Sequence, residues 1–391
     1  MVKVPASISQ QGVHYKYDDI EPCVWQDLPE SGTTLLPNVR QIDFEVVVPS
    51  IDFDDEVEFN FDFSSGVCRG KQSKKEIDEV TLVTGREGAI FYINYQPRRG
   101  RQDILGMWCG WNGETEFPGI EQLLPDELGN IHVKPNGGMV FRTAWNIGEP
   151  PRGLVLILCG LGGLQHSSRL LGNELLEDGW AIVYVYTAMN APDYKTDIEL
   201  SDEKHYSTFA IELFDIRFCQ VIGATKAIRH HMEQQLPSLE SSPFALIGIS
   251  AGALNLPAVY HEMKEDVDAV VLIAGGANMF DIVQEGAFTK WKFTHDGGDT
   301  FTNDELRKIG TEYLNQLSRD PYHLASGLPH DKTLIVHAKY DAVVPAENGD
   351  LLWERAGYPE RWVFSGGHLG LFMIFDKHSK EIAKWIDSKI N

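Results

Sequence analysis

The stretch from Phe244 to Leu254 constrains this chain more than any other. Its four apolar residues Phe244–Ile247 predict a short buried strand, and Gly248-Ile249-Ser250-Ala251-Gly252 matches the pattern Gly-x-Ser-x-Gly. The small residues that follow can begin a helix. A serine on a sharp turn from strand to helix keeps its hydroxyl accessible, and the flanking glycines let neighbouring segments approach closely. The stretch therefore favours a nucleophilic serine, although an ordinary Gly/Ser turn can have the same five-residue pattern.

Length and charge limit the classes of protein to which the chain can belong. At 391 residues it should form two domains or one large domain with an appendage. No uninterrupted apolar run approaches the roughly 18 residues of a membrane span, so none is expected. The net charge of −23 disfavours nucleic acid and anionic membranes as partners. Nothing in the sequence specifies an oligomeric state.

The first residues and the cysteines bear on the cellular compartment. Residues 1–11 contain one lysine and no continuous apolar segment, so no secretory signal is predicted, although a chain whose leader had been removed would look the same. The cytoplasm is the expected location. The five cysteines are scattered and form no Cys-x-x-Cys pair, so we expect buried thiols rather than disulfides or a zinc site; they are Cys23, Cys68, Cys109, Cys159 and Cys219.

The N-terminal part predicts a small β module preceded by an arm. Residues 1–35 are rich in Gly, Pro, Ser and Asp without clear periodicity, which is typical of an extended arm. Alternating apolar and polar residues follow, and the sequence at 84–88, Thr-Gly-Arg-Glu-Gly, is typical of a hairpin connection. We therefore expect an antiparallel, sandwich-like module over residues 36–139. Trp108 and Trp111 could line a ligand surface there, but core positions are the favoured interpretation.

From residue 140 to 391 strands and helices alternate, which predicts a doubly wound, mostly parallel α/β domain. Residues 276–329 are too long for a plain connection between strands and predict a cap over the site, with a helix begun by Asn303. The predicted strands are Leu154–Leu158, Ala181–Tyr186, Phe244–Ile247, Ala269–Ala274, Thr333–His337 and Arg361–Phe364. The predicted helices are Ser167–Glu177, Ser207–Gln234, Asn303–Leu317, Ala346–Ala356 and Lys377–Lys389.

A serine nucleophile needs a general base and a carboxylate that orients this base, and both follow later in the chain. Asp341 comes just past a predicted strand, where open α/β sheets assemble their sites. His368 follows Ser365-Gly366-Gly367 after the last predicted strand, and we expect it in a loop that bends back towards Ser250. Taken singly, Asp341 could be an ordinary turn residue and His368 an exposed loop histidine. Their order after the serine favours the catalytic interpretation.

The three motifs together resemble the α/β-hydrolase superfamily over roughly residues 140–391, with Ser250 on a nucleophile elbow. The resemblance implies an acyl-enzyme on Ser250, with His368 as general base and Asp341 orienting it. It also implies an oxyanion hole formed by the backbone N–H groups of Ala251 and Leu161, with Gly162 as the fallback for Leu161. Cys159 occupies the position of the histidine in the superfamily's familiar His-Gly sequence. The side chains that support this loop therefore differ from those of the superfamily.

Carboxylic ester hydrolysis of a small-molecule substrate is the activity that the resemblance favours. An acyl-CoA thioesterase or acyltransferase, acting on a thioester, is the first alternative, and a prolyl-oligopeptidase-like peptidase is the second. A non-catalytic binding protein on the same fold is disfavoured because all three site residues are present.

No cofactor or metal is expected. The loop at 160–163 lacks the phosphate-binding pattern with Lys-Ser/Thr, and the adjacent His230 and His231 point to different sides of a helix. Cys159 ends an apolar strand, so we do not expect it to be the nucleophile.

Overall fold

The computed structural model describes most of the chain. The described residues are 17–23, 32–37, 39, 41–45, 58–61, 79–85, 87–95, 100–111, 119–133, 137–160, 165–186, 197–199, 203–287, 292–295 and 299–390. Contacts divide the chain into two compact units. The α/β unit comprises Met1–Pro22, Arg152–Cys219 and Ser242–Asn391, and the β unit comprises Cys23–Pro151 and Gln220–Ser241.

The β unit contains two groups of paired strands. Strands β1, β4, β5, β6 and β8 lie side by side in this order, and the neighbouring pairs are antiparallel. Strand β2 pairs antiparallel with β3 and parallel with β7. The strands are β1 (Gly32–Pro37), β2 (Gln41–Glu45), β3 (Glu58–Phe61), β4 (Glu79–Gly85), β5 (Gly88–Tyr95), β6 (Arg101–Gly110), β7 (Asn130–Val133) and β8 (Gly137–Asn146).

The core of the β unit lies between these two groups. Phe91 on β5 and Met107 on β6 share one buried cluster with Ile131 on β7, so the two groups pack face to face in the sandwich-like arrangement that the sequence predicts. Trp108 is 0% exposed and Trp111 is 1% exposed, which confirms the core interpretation. The predicted boundary between residues 139 and 140 falls within β8, because this strand completes the antiparallel group.

The α/β unit is built on a parallel sheet with the order β10, β9, β12, β13, β15, β16. A separate parallel pair joins β11 to β14. The strands are β9 (Leu154–Leu158), β10 (Ala181–Tyr186), β11 (Asp197–Glu199), β12 (Phe244–Ile249), β13 (Ala269–Ile273), β14 (Lys292–Thr294), β15 (Thr333–Ala338) and β16 (Glu360–Phe364). The helices are α1 (Gln165–Glu177), α2 (Glu203–Gln235), α3 (Ala251–Met263), α4 (Met279–Glu285), α5 (Asn303–Gln316), α6 (Pro321–Leu324), α7 (Ala346–Arg355) and α8 (His368–Ile390).

The strands of this sheet are buried as the sequence predicts. Every residue of β9, β12, β13 and β15 is buried, and each strand is a nearly continuous apolar run. Such runs are typical of parallel strands with both faces covered. The doubly wound, mostly parallel sheet is therefore confirmed. Helix α2 extends across the division between the units, since its residues from Gln220 onwards belong to the β unit. Within the described helices, none combines the length and apolar character needed to cross a bilayer.

The start of α8 and the N-cap of α5 differ from the predictions. Helix α8 begins at His368 rather than at Lys377, because its first turns are almost entirely apolar and show no helical periodicity. His368 is therefore the first residue of a helix and not a loop residue. Helix α5 is capped by Thr302 rather than by Asn303, and Thr302 and Glu305 form a reciprocal capping box.

The predicted cap at 276–329 contains α4, β14, α5 and α6, and a buried carboxylate joins three of these elements. Asp320 accepts hydrogen bonds from the backbone N–H groups of Asn278 (3.0 Å), Met279 (2.8 Å) and Tyr322 (2.7 Å). The hydroxyl of Tyr313 on α5 donates to the same carboxylate at 2.6 Å. The start of α4 is thus fixed to α5 and α6. That these elements cover the site stays a prediction.

Asp281 in α4 carries a second carboxyl in this region. Its Oδ2 accepts a hydrogen bond from Nδ2 of Asn278 at 2.5 Å. Burial, followed by the negative charges of Glu285 and Asp320, raises the pKa of Asp281 to about 7. In the unfolded chain this carboxyl would have its ordinary pKa of about 4. Between pH 4 and 7 the folded state therefore binds the extra proton, and the free energy of unfolding falls as the pH rises.

We expect Asp281→Asn to remove this dependence, because the amide has the same shape and does not ionise. The variant should exceed the wild type in free energy of unfolding by about 1 kcal/mol or more at pH 8, and the difference should disappear near pH 4. Urea unfolding at several pH values measures the free energy of unfolding of the variant and of the wild type. Asp331→Asn, which changes an exposed carboxyl of the same unit, is the matched control. Parallel pH profiles for Asp281→Asn and the wild type would contradict the prediction.

The cysteines only partly match the predicted buried thiols. Cys109 and Cys159 are buried thiols. Cys23 and Cys219 are disulfide-bonded, so the prediction is wrong for these two, because scattered spacing does not reveal which cysteines form disulfides. Cys68 lies outside the described residues. A disulfide is typical of an oxidising compartment and is rare in the cytosol.

A maleimide should therefore label these cysteines under different conditions. Cys109 and Cys159 should react after denaturation alone, since burial protects them in the folded protein and raises the pKa of Cys159 to about 12. Cys23 and Cys219 should react only after denaturation and reduction. Peptide mapping by mass spectrometry distinguishes the two sets. Labelling of Cys219 without a reductant would show that the disulfide is absent.

Candidate active site

Ser250 lies on the turn between β12 and α3 in a strained backbone conformation. Its φ is 53° and its ψ is −117°. A residue with a side chain rarely adopts a positive φ, and such strain costs on the order of 1–3 kcal/mol. The backbone N–H of Ser250 donates to the carbonyl of Ile273 at 2.8 Å, which ties the turn to the end of β13. The neighbouring sheet thus holds the serine in this conformation.

Close packing explains both glycines of the Gly-x-Ser-x-Gly pattern. A Cβ on Gly248 would lie 2.6 Å from Cα of Ala253, and a Cβ on Gly252 would lie 2.0 Å from the carbonyl oxygen of Leu158. Both distances are too short for any side chain. Helix α3 can begin directly against β9 and β12 only because these positions lack a Cβ.

The structure brings Ser250, His368 and Asp341 into one chain of hydrogen bonds. Oγ of Ser250 lies 2.8 Å from Nε2 of His368, and Nδ1 of His368 lies 2.7 Å from Oδ2 of Asp341. With the proton on Nδ1, the imidazole donates to the carboxylate, and Nε2 is left to accept the serine proton. The three residues are 7%, 4% and 7% exposed, so water screens these contacts weakly.

The carboxylate of Asp341 contacts both its own turn and His368. Its Oδ1 accepts hydrogen bonds from the backbone N–H groups of Val343 (2.9 Å) and Val344 (3.0 Å), as a turn residue would. Its Oδ2 faces His368. The turn after β15 therefore fixes the carboxylate in the orientation that the imidazole requires.

Two further contacts that sequence reasoning did not identify position His368. One involves its ring, and the other involves the loop before it. Phe372, one helical turn later, packs edge-on against it with ring centroids 5.1 Å apart. The loop before it is joined to the end of β15, because the backbone N–H of Tyr340 donates to the carbonyl of Gly366 at 2.9 Å. The spacing of His368 and Phe372 by four residues would have revealed the ring contact once the helix start was known.

Of the predicted oxyanion donors, the structure describes Ala251. Ala251 is the first residue of α3, where backbone N–H groups have no acceptor within the helix and face outward from its positive end. Leu161 and its fallback Gly162 lie outside the described residues. Across the described ranges, no group of three or more His, Cys, Asp or Glu side chains is arranged to hold a metal ion.

Comparisons with known proteins find similarity mainly at the level of structure. No protein-family model matches the chain. The uncharacterized protein YdjC of Bacillus subtilis (strain 168) is 28% identical over 95 residues, which are 23% of this chain and 81% of YdjC. A cold-adapted esterase from an Arctic intertidal metagenomic library is 13% identical, with a TM-score of 0.44 covering 77% of this chain and 99% of the esterase.

A higher structural similarity is found with the acetyl xylan esterase from Paenibacillus sp. R4. The TM-score is 0.52 at 15% identity, and the match covers 77% of this chain and 88% of the esterase. At this identity the similarity concerns the fold alone. Together with the parallel sheet and the turn at Ser250, it shows that the chain has the fold of the α/β-hydrolase superfamily.

Proposed function

We propose that the protein is a serine hydrolase that cleaves small carboxylic esters through an acyl-enzyme on Ser250. The observation that carries the proposal is the hydrogen-bond chain from Ser250 through His368 to Asp341, with the serine held at a positive φ. A neutral hydroxyl is a weak nucleophile, and a base at 2.8 Å from its oxygen can remove its proton as the new bond forms.

The reaction has two halves. In the first, Oγ of Ser250 attacks the carbonyl carbon while Nε2 of His368 takes the serine proton, and the Asp341 carboxylate stabilises the resulting imidazolium. Collapse of the tetrahedral intermediate breaks the bond to the leaving oxygen, which receives the proton from Nε2 and departs as an alcohol. In the second half, water donates a proton to Nε2, attacks the acyl group and releases the carboxylic acid. Ser250 recovers its proton.

The developing oxyanion requires two donors near Ser250. We assign one to the backbone N–H of Ala251, because this group lies at the positive end of α3 and directly follows the nucleophile. The second assignment, the backbone N–H of Leu161, rests on the sequence resemblance. Backbone donors act without any side chain, so the cysteine at position 159 is compatible with this arrangement.

The choice of an ester substrate has further support from the fold neighbours. The Paenibacillus protein of the same fold is an acetyl xylan esterase. An alcohol leaves a tetrahedral intermediate more readily than an amine does, so we expect esters to react faster than amides. Turnover of p-nitrophenyl esters should therefore exceed turnover of aminoacyl anilides, and acyl-CoA esters test the thioester alternative.

A fluorophosphonate, which forms a stable adduct with activated serines, should label Ser250. Ser250→Ala should abolish the adduct, and Ser250→Ala or His368→Ala should lower kcat by a factor on the order of 10⁴ or more, singly about as much as together. Peptide mapping locates the adduct, and p-nitrophenyl acetate hydrolysis gives kcat. Ser365→Ala, an exposed serine in the loop before His368, is the control and should keep wild-type labelling. An adduct elsewhere, or wild-type turnover by Ser250→Ala, would refute the proposal.

Asp341→Asn should separate the two roles of this side chain. The amide oxygen can still accept from Val343 and Val344, so the thermal midpoint should change little. The amide NH₂ would face Nδ1 of His368 and place the imidazole proton on Nε2, where it blocks proton transfer from Ser250. We expect kcat to fall by a factor on the order of 10²–10⁴.

Asp350→Asn provides the comparison, because Asp350 pairs with Arg361 at the surface. It should leave kcat unchanged. A kcat for Asp341→Asn within twofold of the wild type, about 0.4 kcal/mol in barrier height, would exclude Asp341 as the orienting acid.

A further inference from the structure

The β unit contains a pocket that the proposed reaction does not use. It has a volume of about 300 Å³ and is lined by Thr33 on β1, Thr84 and Gly85 at the end of β4, and His230 and Gln234 near the end of α2. This volume is at the lower end of the range for small-molecule sites. A recess of about 30 Å³ lies against the same Thr84, His230 and Gln234.

His231 lines this recess and is the residue that needs explanation. It is 1% exposed, and neither of its ring nitrogens has a hydrogen-bond partner in the part of the chain that the structure describes. The ring packs against Tyr92 at a centroid distance of 4.8 Å. Buried polar groups are almost always hydrogen-bonded, so a buried imidazole that faces a cavity and has no protein partner is a position for a bound polar group, either a water or part of a ligand.

His231 is neutral at physiological pH. Burial, with a smaller contribution from His230, lowers the pKa of His231 to about 4. A neutral imidazole has one N–H donor and one nitrogen acceptor. It therefore suits a ligand group that can both accept and donate a hydrogen bond, which is the property of a hydroxyl.

The wall of the recess is built rigidly. Nε1 of the buried Trp108 donates to the carbonyl of Glu87 at 2.8 Å, which fixes the turn between β4 and β5. Gly88 in the same turn has a φ of +124°, and a Cβ there would lie 2.2 Å from the carbonyl oxygen of Cys109. The turn between β4 and β5 therefore lies directly against β6. A preformed wall lowers the entropy cost of binding a ligand.

The chemistry of the lining narrows the class of ligand. Its polar side chains are hydroxyls, an amide and imidazoles, and its one acid is Glu87. No Lys or Arg occurs among the described lining residues, and the carboxylate of Glu87 disfavours an anionic ligand. We propose that the pocket of about 300 Å³ binds a neutral ligand rich in hydroxyl groups and about the size of one sugar residue, with one hydroxyl that enters the adjoining recess and contacts His231.

Isothermal titration with methyl β-D-glucopyranoside tests the proposal on the full-length protein. We expect a dissociation constant in the millimolar range and much weaker binding of D-glucuronate, because the nearby carboxylate of Glu87 repels an anion. His231→Phe should weaken binding by about tenfold or more, because it removes both hydrogen-bonding nitrogens. His132→Phe, which changes an exposed histidine of the same unit, should bind as the wild type does.

A second variant keeps the test decisive if His231→Phe folds poorly. A Cβ on Gly85 would meet no atom within 4 Å, so the side chain of Gly85→Leu can occupy the pocket without disturbing the fold. The Gly85→Leu variant should also lose binding of the glycoside. Ester hydrolysis should be unchanged in every variant, so this outcome is independent of the proposed reaction. Absence of binding at up to about 100 mM glycoside, or undiminished binding by Gly85→Leu, would overturn the proposal and leave the recess a site for water only.

Discussion

The close approach of α3 to β9 is the constraint on which the rest of the site depends. At Gly252 the helix lies so near the carbonyl of Leu158 that a Cβ would overlap it. This contact leaves no room for a gradual turn between β12 and α3. Ser250 must take a positive φ, and its N–H then reaches the carbonyl of Ile273 on β13. Three neighbouring parallel strands thus fix one strained serine.

The remaining groups reach the serine because parallel strands end at the same edge of the sheet. Strand β15 pairs with β13, and β16 pairs with β15, so the segments that follow these strands lie beside the turn at Ser250. Asp341 is fixed by its own turn, and His368 is fixed at the start of a long helix. Each group is therefore positioned by backbone geometry before any contact with Ser250 forms, which is the preorganisation that the proposed acyl transfer requires.

The sequence predicts the features that depend on local patterns. Buried parallel strands are continuous apolar runs, and the turns at Ser250 and Asp341 have short signatures that stand beside such runs. The start of α8 could not be predicted, because its first turns are almost entirely apolar and contain no polar interval that would show a helical period. The disulfide-bonded Cys23 and Cys219 could not be predicted either, since pairing depends on distances that only the fold determines.

His231 shows the same limit for a binding site. From the sequence, His230 and His231 can only be said to point to different sides of a helix, and the structure shows that one is exposed and the other buried. The buried carboxylate of Asp320, in contrast, is surrounded by donors that its neighbours supply. An imidazole buried without such partners lowers stability by about 1–3 kcal/mol. Unsatisfied buried groups of this kind are expected where a site serves a function rather than the fold. For this reason we place the proposed second functional site at the end of α2.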